Sequence, residues 1–220
     1  MKRTLVAGDL VVALGVEPTL TDAAIIVEGT EIVEVGPRAQ LESHGPFDEV
    51  LGGDGFVVMP GFVNGHYHSE CATGPGLIGT IFELSNLYLG SGCERHDEEA
   101  LELLATYGLV QCLKGGQTAT VDAFYGKPAM SLLGAEPVLR AYERVGLRTA
   151  FAVSLRDQNL YVHEDDTSFL ARVAPDLAEE IVASPLGYAW PVDEVMATVD
   201  TLAARWEGHA GRTHILLAPD

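Results

Sequence analysis

Basic residues are scarce in this sequence. Its 220 residues contain 13 Lys and Arg against 32 Asp and Glu, which gives a formal net charge of −19 at pH 7. Such an acidic chain repels phosphate groups, so we expect neither nucleic acid nor an anionic membrane as a partner. Solubility explains the charge most simply, although a cationic substrate also agrees with it.

Long apolar runs and cysteine pairs are also lacking. No apolar run reaches the roughly 18 residues that a membrane helix needs, and the first apolar stretch is interrupted at Gly8. We therefore expect no membrane partner and no secretory signal. Cys71, Cys93 and Cys112 lack zinc-finger spacing and cannot all pair, which favours reduced thiols in a cytoplasmic protein.

Short strands and turns predominate before about residue 58. Apolar clusters predict strands at residues 4–7 and 10–14 and a hairpin over residues 23–35. The glycine-rich residues 52–55 predict a further turn. This part of the sequence therefore predicts an all-β segment that forms a portion of a small β-sandwich.

Strands and helices alternate in the rest of the sequence. Apolar periodicity predicts four strands and four helices. The strands lie at residues 58–69, 118–124, 148–154 and 213–218, and the helices near residues 97–114, 135–145, 167–183 and 191–206. This alternation is typical of a parallel sheet covered by helices, so we expect an α/β fold.

Two histidines end the first of these strands. Successive side chains of a strand alternate faces, so His66 and His68 point the same way and their imidazoles can converge on one metal ion. An isolated His-x-His pair also occurs as two hydrogen-bonded core histidines. The pair by itself leaves both interpretations open.

The residues around the pair are more specific. Residues 60–69 read PGFVNGHYHS and follow the all-β segment. This run resembles the first-strand signature of the metal-dependent amidohydrolase superfamily, and it is most similar to the branch that holds cytosine, guanine and adenosylhomocysteine deaminases and the triazine chlorohydrolases. The resemblance implies a (β/α)8 barrel, a fold of eight strands and typically about 250 residues.

The sequence supplies four strands of such a barrel. The resemblance therefore implies two domains, a β-sandwich portion at residues 1–58 and strands one to four, the first half of the barrel, at residues 59–220. The family's other metal ligands are a histidine on strand five, a histidine on strand six and an aspartate on strand eight, with a proton-shuttling glutamate near strand five. We expect all of these beyond Asp220, which leaves the catalytic acid and base unknown.

The reaction implied by the resemblance is hydrolysis of a C–N or C–Cl bond on a small nitrogen heterocycle. The resemblance also implies that His66 and His68 hold one divalent metal ion, zinc or iron, and that metal-activated water is the nucleophile. Dinuclear members of the superfamily place a bridging carboxylated lysine on strand four, but residues 214–220 contain no lysine. This favours a mononuclear, deaminase-like enzyme, with a dinuclear cyclic-amide hydrolase as the alternative.

Four further residues are candidates for the site. Arg156 follows strand three at the rim of the barrel, where it either binds an anionic or carbonyl group of the substrate or joins an ion pair between loops. Asp220, after strand four, either faces the pocket or leads an ordinary loop. Asp122 interrupts an apolar strand and either orients a metal ligand or bonds the backbone. His214 begins its strand, at the opposite end from the site, which favours a structural role.

A non-catalytic interpretation follows from the same strand count. Four strands cannot close a barrel, so sheet edges and apolar faces are exposed. A chain that stops at Asp220 is then expected to be a truncated or partner-dependent fragment. It requires either the missing C-terminal half or a second copy of itself, as in a homo-oligomer.

Overall fold

The structure, a computed structural model, combines strands and helices in two units. It describes residues 1–13, 15, 18–69, 97–124, 134–183 and 191–219. The units are Met1–Gly61 and Phe62–Asp220. The first is a sheet with one short helix, and the second alternates strands with helices, so the α/β class predicted from the sequence is confirmed.

Four strands form the sheet of the first unit. They are β1 (Arg3–Val11), β2 (Leu20–Glu28), β3 (Glu31–Pro37) and β4 (Glu49–Val58), in the spatial order β3-β2-β1-β4. β1 runs antiparallel to β2 and parallel to β4. Helix α1 (Arg38–Glu42) places Leu41 in a small core with Leu5 and Ile26. This apolar contact holds the helix against the sheet.

The predicted hairpin of β2 and β3 is confirmed, but two other predictions for this unit are wrong. β1 is one strand that continues through Gly8, and residues 52–55 lie inside β4 instead of forming a turn between strands. The register between β1 and β4 shifts between Gly8 and Leu10. Gly52, Gly53 and Gly55 have positive φ angles of 76°, 126° and 81°. The glycines therefore accommodate an irregularity of the ladder that other residues resist.

Gly52→Ala is expected to destabilise the protein more than Gly55→Ala. A Cβ at Gly52 would lie 2.1 Å from the carbonyl oxygen of Ala7, whereas a Cβ at Gly55 would meet no described atom within 4 Å. Gly55→Ala therefore only places an alanine in the left-handed backbone region, which lowers the free energy of unfolding by about 1–2 kcal/mol. Gly52→Ala adds a steric clash and should lose roughly 1–3 kcal/mol more in urea unfolding. Equal losses would contradict this close packing of β4 on β1.

Four parallel strands form the sheet of the second unit. They are β5 (Phe62–Tyr67), β6 (Gln117–Phe124), β7 (Arg148–Leu155) and β8 (Thr213–Pro219), side by side in chain order. The helices are α2 (Glu98–Lys114) before β6, α3 (Ala135–Val145) before β7, and α4 (Asp166–Leu170), α5 (Pro175–Ala183) and α6 (Val192–Trp206) before β8. The predicted parallel sheet is confirmed. Because the strands run the same way, their carboxyl ends share one edge of the sheet.

The strand that carries the histidines is shorter than predicted. β4 ends at Val58 and β5 begins at Phe62, so residues 58–69 do not form one strand. Pro60 has no N–H for a ladder bond, which accounts for the interruption. A proline also divides the helix predicted over residues 167–183, because Pro175 begins α5 and cannot continue an earlier helix.

An apolar core lies between the parallel sheet and the helices. Phe124 of β6 and Phe151 of β7 are buried in it with Leu109 of α2, Val138 of α3 and Trp206 of α6. The helices therefore cover one face of the sheet and hold the strands in place. Within the described ranges, no helix is long and apolar enough to span a membrane.

Candidate metal site

His66 and His68 lie side by side at the carboxyl end of β5. Their ring centroids are 4.6 Å apart and the ring planes are almost perpendicular, at 88°. Their Nε2 atoms are 3.0 Å apart. Rings this close project from the same side of the chain, so the predicted convergence of the two side chains is confirmed.

A β-bulge between Asn64 and Tyr67 includes the first histidine of the pair. Asn64 is paired with Thr120 and Tyr67 with Asp122, so three steps along β5 correspond to two along β6. Gly65 and His66 thus stand opposite the single residue Val121, and the His66 amide donates to the side-chain oxygen of Asn64 over 3.2 Å. Bulges redirect neighbouring side chains and are common beside functional sites. Strict strand alternation therefore does not extend from the histidines back to Asn64.

The ring of His68 is held in one tautomer. Its Nδ1 lies 2.7 Å from the backbone oxygen of Ala123 in β6. A carbonyl oxygen only accepts, so Nδ1 must carry the hydrogen, and in the neutral ring Nε2 then bears the lone pair. A hydrogen bond from the second ring nitrogen to a backbone carbonyl is the usual support of a metal-binding histidine.

The separation of the two Nε2 atoms fits a shared metal ion. Zinc–nitrogen bonds of about 2.0–2.1 Å in a tetrahedral site place two nitrogen ligands about 3.4 Å apart. The observed 3.0 Å requires only a slight parting of the rings. A direct bond from Nε2–H of His66 to Nε2 of His68 also fits this distance. Both arrangements use the same His68 tautomer.

The pair offers two possible ligands, fewer than a zinc site uses. Catalytic zinc sites typically use three protein ligands and a water. Among the residues that the structure describes, no group of three or more His, Cys, Asp or Glu side chains is placed to hold a metal ion. A zinc ion bound by the pair would therefore need further ligands from outside the described residues.

Asp122 lies behind the pair, on the face of β6 that is covered by helices. Its side chain is fully buried and accepts hydrogen bonds from the Ser69 amide over 3.1 Å and from the Tyr142 hydroxyl over 2.9 Å. Burial raises the pKa of Asp122, whereas the bonds from Ser69 and Tyr142 oppose that rise. The sequence predicted that Asp122 either orients a metal ligand or bonds the backbone. In the structure it accepts from the backbone amide of Ser69, the residue that follows the candidate ligand His68.

The other candidates lie on or after other strands of the sequence. Arg156 directly follows β7 at the same carboxyl edge of the sheet, half-buried, with Nη1 3.4 Å from the Leu160 oxygen. His214 lies near the start of β8, at the opposite edge, where its Nδ1 is 2.8 Å from a carboxylate oxygen of Glu207. This contact agrees with the structural role predicted for His214. Asp220 lies outside the described residues.

Sequence relatives of the chain are deaminases. No family model matches it. A 5-methylthioadenosine/S-adenosylhomocysteine deaminase of Thermococcus onnurineus is 28% identical over 127 residues, which are 57% of this chain and 29% of the relative. An enzyme of the same name from Pyrococcus abyssi is 27% identical over 155 residues, which are 70% of this chain and 33% of the relative.

Solved structures of similar fold are deaminases and triazine hydrolases. An adenosine deaminase of Xanthomonas campestris with bound zinc matches 98% of this chain, with a TM-score of 0.70 and 18% identity. An atrazine chlorohydrolase of Arthrobacter aurescens complexed with zinc also matches 98% of it, with a TM-score of 0.71 and 22% identity. The guanine deaminase of E. coli matches with a TM-score of 0.69 and 14% identity.

The comparisons confirm the predicted resemblance to deaminases and triazine hydrolases of the amidohydrolase superfamily. The relatives are enzymes. The chain spans only part of their length. It covers 42% of the adenosine deaminase and 46% of the chlorohydrolase.

The sequence did not reveal the residues of the second unit that support the pair. Neither the Ala123 carbonyl nor the Tyr142 hydroxyl was among the predicted site groups. A backbone carbonyl has no signature in a sequence, and Tyr142 reads as one more core residue of an amphipathic helix. The only available signal was Asp122, a carboxyl group in an otherwise apolar strand.

Proposed function

We propose that residues 59–220 form strands one to four of a (β/α)8 barrel and that residues 1–58 form a portion of a β-sandwich. Four parallel strands in chain order, joined by helices, are what the first half of such a barrel requires. The partial coverage of the adenosine deaminase structure, 42% of its length, supports this interpretation. The other strands of the barrel would bring the further metal ligands and the catalytic acid and base.

On this basis, His66 and His68 are two ligands of one divalent metal ion in a mononuclear hydrolase. The observation that carries the proposal is the hydrogen bond from His68 Nδ1 to Ala123, because it leaves Nε2 as a donor atom directed at Nε2 of His66. Zinc is favoured over iron, since two structural neighbours contain zinc. β8 carries no lysine, which argues against a dinuclear site bridged by a carboxylated lysine on this strand.

The residues of this chain have distinct tasks in that site. Ala123 fixes the tautomer and direction of the His68 ring, and Asn64 holds the backbone at His66. A divalent metal ion bound here would lower the pKa of a coordinated water toward about 7 and so supply the nucleophile. His66 and His68 contribute no charge to the site in their neutral, ligating form, so the bound ion keeps its positive charge.

The proposed substrate is a small nitrogen heterocycle that bears an amino or chloro group. The names of the relatives point to purine derivatives and triazines. Arg156 follows β7, two strands from β5 at the same sheet edge, and is proposed to bind a polar group of the substrate. A role of Asp220 in binding, a cytoplasmic location and a homo-oligomer stay predictions.

A substrate panel tests this function. The protein in its full natural length, loaded with zinc, would be assayed for ammonia release from 5-methylthioadenosine, S-adenosylhomocysteine, adenosine and guanine, and for chloride release from atrazine. We expect release from at least one of them, its loss after chelation and its recovery with zinc. Turnover of a cyclic amide alone, with two metal ions per chain, would instead support the dinuclear alternative.

A further inference from the structure

Asp122 connects three elements of the second unit from a fully buried position. Through its two oxygens it accepts from Ser69, which follows β5, and from Tyr142 of α3. Because Tyr142 donates its only hydroxyl hydrogen to Asp122, the Thr120 hydroxyl, 2.8 Å away, must donate to the Tyr142 oxygen. The carboxyl group is therefore held from two sides, which offsets the cost of burying it.

The bond to Ser69 acts on the backbone of His68. The Ser69 amide belongs to the same planar peptide unit as the carbonyl of His68. Fixing the direction of the Ser69 N–H therefore restricts the ψ angle of His68. Meanwhile the ring of His68 is held by Ala123, the residue that follows Asp122 in β6.

The ladder between β5 and β6 does not provide this restraint. β5 ends at Tyr67, and Tyr67 opposite Asp122 is the last pair of the ladder. His68 and Ser69 lie beyond it. Two adjacent residues of β6 restrain the chain beyond the end of the ladder. Asp122 binds the Ser69 amide, and the Ala123 carbonyl binds the His68 ring.

We propose that Asp122 is a positioning residue of the metal site, which sets the backbone at His68 through the Ser69 amide and so directs the Nε2 atom of His68 at the ion. This inference rests on the proposed function, since it assumes that His68 binds a metal. Asp122 acts through Ser69 and His68, and Tyr142 in turn steadies Asp122.

The test compares zinc affinities of the full-length protein and its variants by competition with a chromophoric chelator. Asp122→Leu removes the acceptor. Asp122→Asn keeps an oxygen for the Ser69 amide and presents its NH₂ group to the Tyr142 oxygen, so it is the conservative rescue. Tyr142→Phe removes the hydrogen bond from Tyr142 to Asp122 but keeps the aromatic ring in the core. It therefore still tests the inference if Asp122→Leu fails to fold. Leu139→Ala, in the same helix and fully buried, controls for general destabilisation.

We expect Asp122→Leu to weaken zinc binding about 10- to 100-fold, as is typical when a residue that supports a metal ligand is removed. Tyr142→Phe should weaken it less, and Asp122→Asn and Leu139→Ala should bind almost as the wild type does. The Co²⁺ absorption spectrum should shift in the leucine variant only. Wild-type affinity in both Asp122→Leu and Tyr142→Phe would overturn the inference, as would an equal loss in Leu139→Ala.

Hydrogen exchange of the Ser69 amide separates this inference from the proposed function. We expect slow exchange in the wild type and in Asp122→Asn, and fast exchange in Asp122→Leu, without any metal present. A wild type that protects this amide but binds no zinc would overturn the metal site and leave Asp122 a structural link only. A wild type that binds zinc with an unprotected Ser69 amide would overturn the inference alone.

Discussion

His68→Ala is expected to lower kcat/KM of the proposed deamination by at least about 10³-fold, because the metal ion stabilises the transition state by several kcal/mol and each 1.36 kcal/mol is a factor of ten. The substitution removes one proposed ligand, and the Ala123 carbonyl loses the ring nitrogen that donates to it. His66→Ala should have an effect of the same order, since the two Nε2 atoms are 3.0 Å apart and are proposed to bind one ion. Steady-state kinetics with a fixed zinc concentration measures both.

His214→Ala is the matched control for this prediction. His214 lies at the opposite edge of the sheet and contacts Glu207, so its loss should leave kcat/KM within about twofold of the wild type. A His68→Ala protein that keeps wild-type kinetics would mean that the histidine pair is a structural contact. Equal losses in His68→Ala and His214→Ala would point to a general effect on folding.

Phe151→Ala is expected to lower the free energy of unfolding by about 3–5 kcal/mol. Phe151 is fully buried, and its ring centroid lies 5.1 Å from that of Phe124 on the neighbouring strand. The substitution leaves a cavity between the sheet and the helices, at the point where β6 and β7 are packed. Since a domain is stable by only about 5–15 kcal/mol, this is a large share of its free energy of unfolding. Urea unfolding of the variant and the wild type measures the difference.

Val182→Ala provides the comparison for the core substitution. Val182 is 58% exposed on α5, so its loss should change the free energy of unfolding by less than about 0.5 kcal/mol. A similar loss in both variants would show that the core does not lie where the structure has it.

The elements that follow from local pattern were predictable from the sequence. The hairpin of β2 and β3, helix α2 and the parallel order of β5–β8 depend on turn residues and apolar periodicity, which a sequence displays directly. Predictions failed where one residue type is compatible with two local structures. Gly52 and its neighbours indicated a turn, although glycine also accommodates an irregular ladder inside a strand.

The candidate site was predictable only in part. His66 and His68 are two residues apart, so strand alternation brings them together without any long-range information. The bonds that support them join residues far apart in the chain, from Ser69 to Asp122 and from His68 to Ala123. These bonds depend on the register of β5 against β6 and on the bulge beside His66, which no local pattern specifies.

The metal content of the purified protein tests the central claim most directly. Elemental analysis would be made of the full-length wild type and of the double variant His66→Ala/His68→Ala, both prepared with zinc and freed of excess metal. The account predicts about one zinc ion per wild-type chain and less than about a tenth of an ion in the variant. A wild type without bound metal, or a variant that retains the wild-type amount, would contradict it.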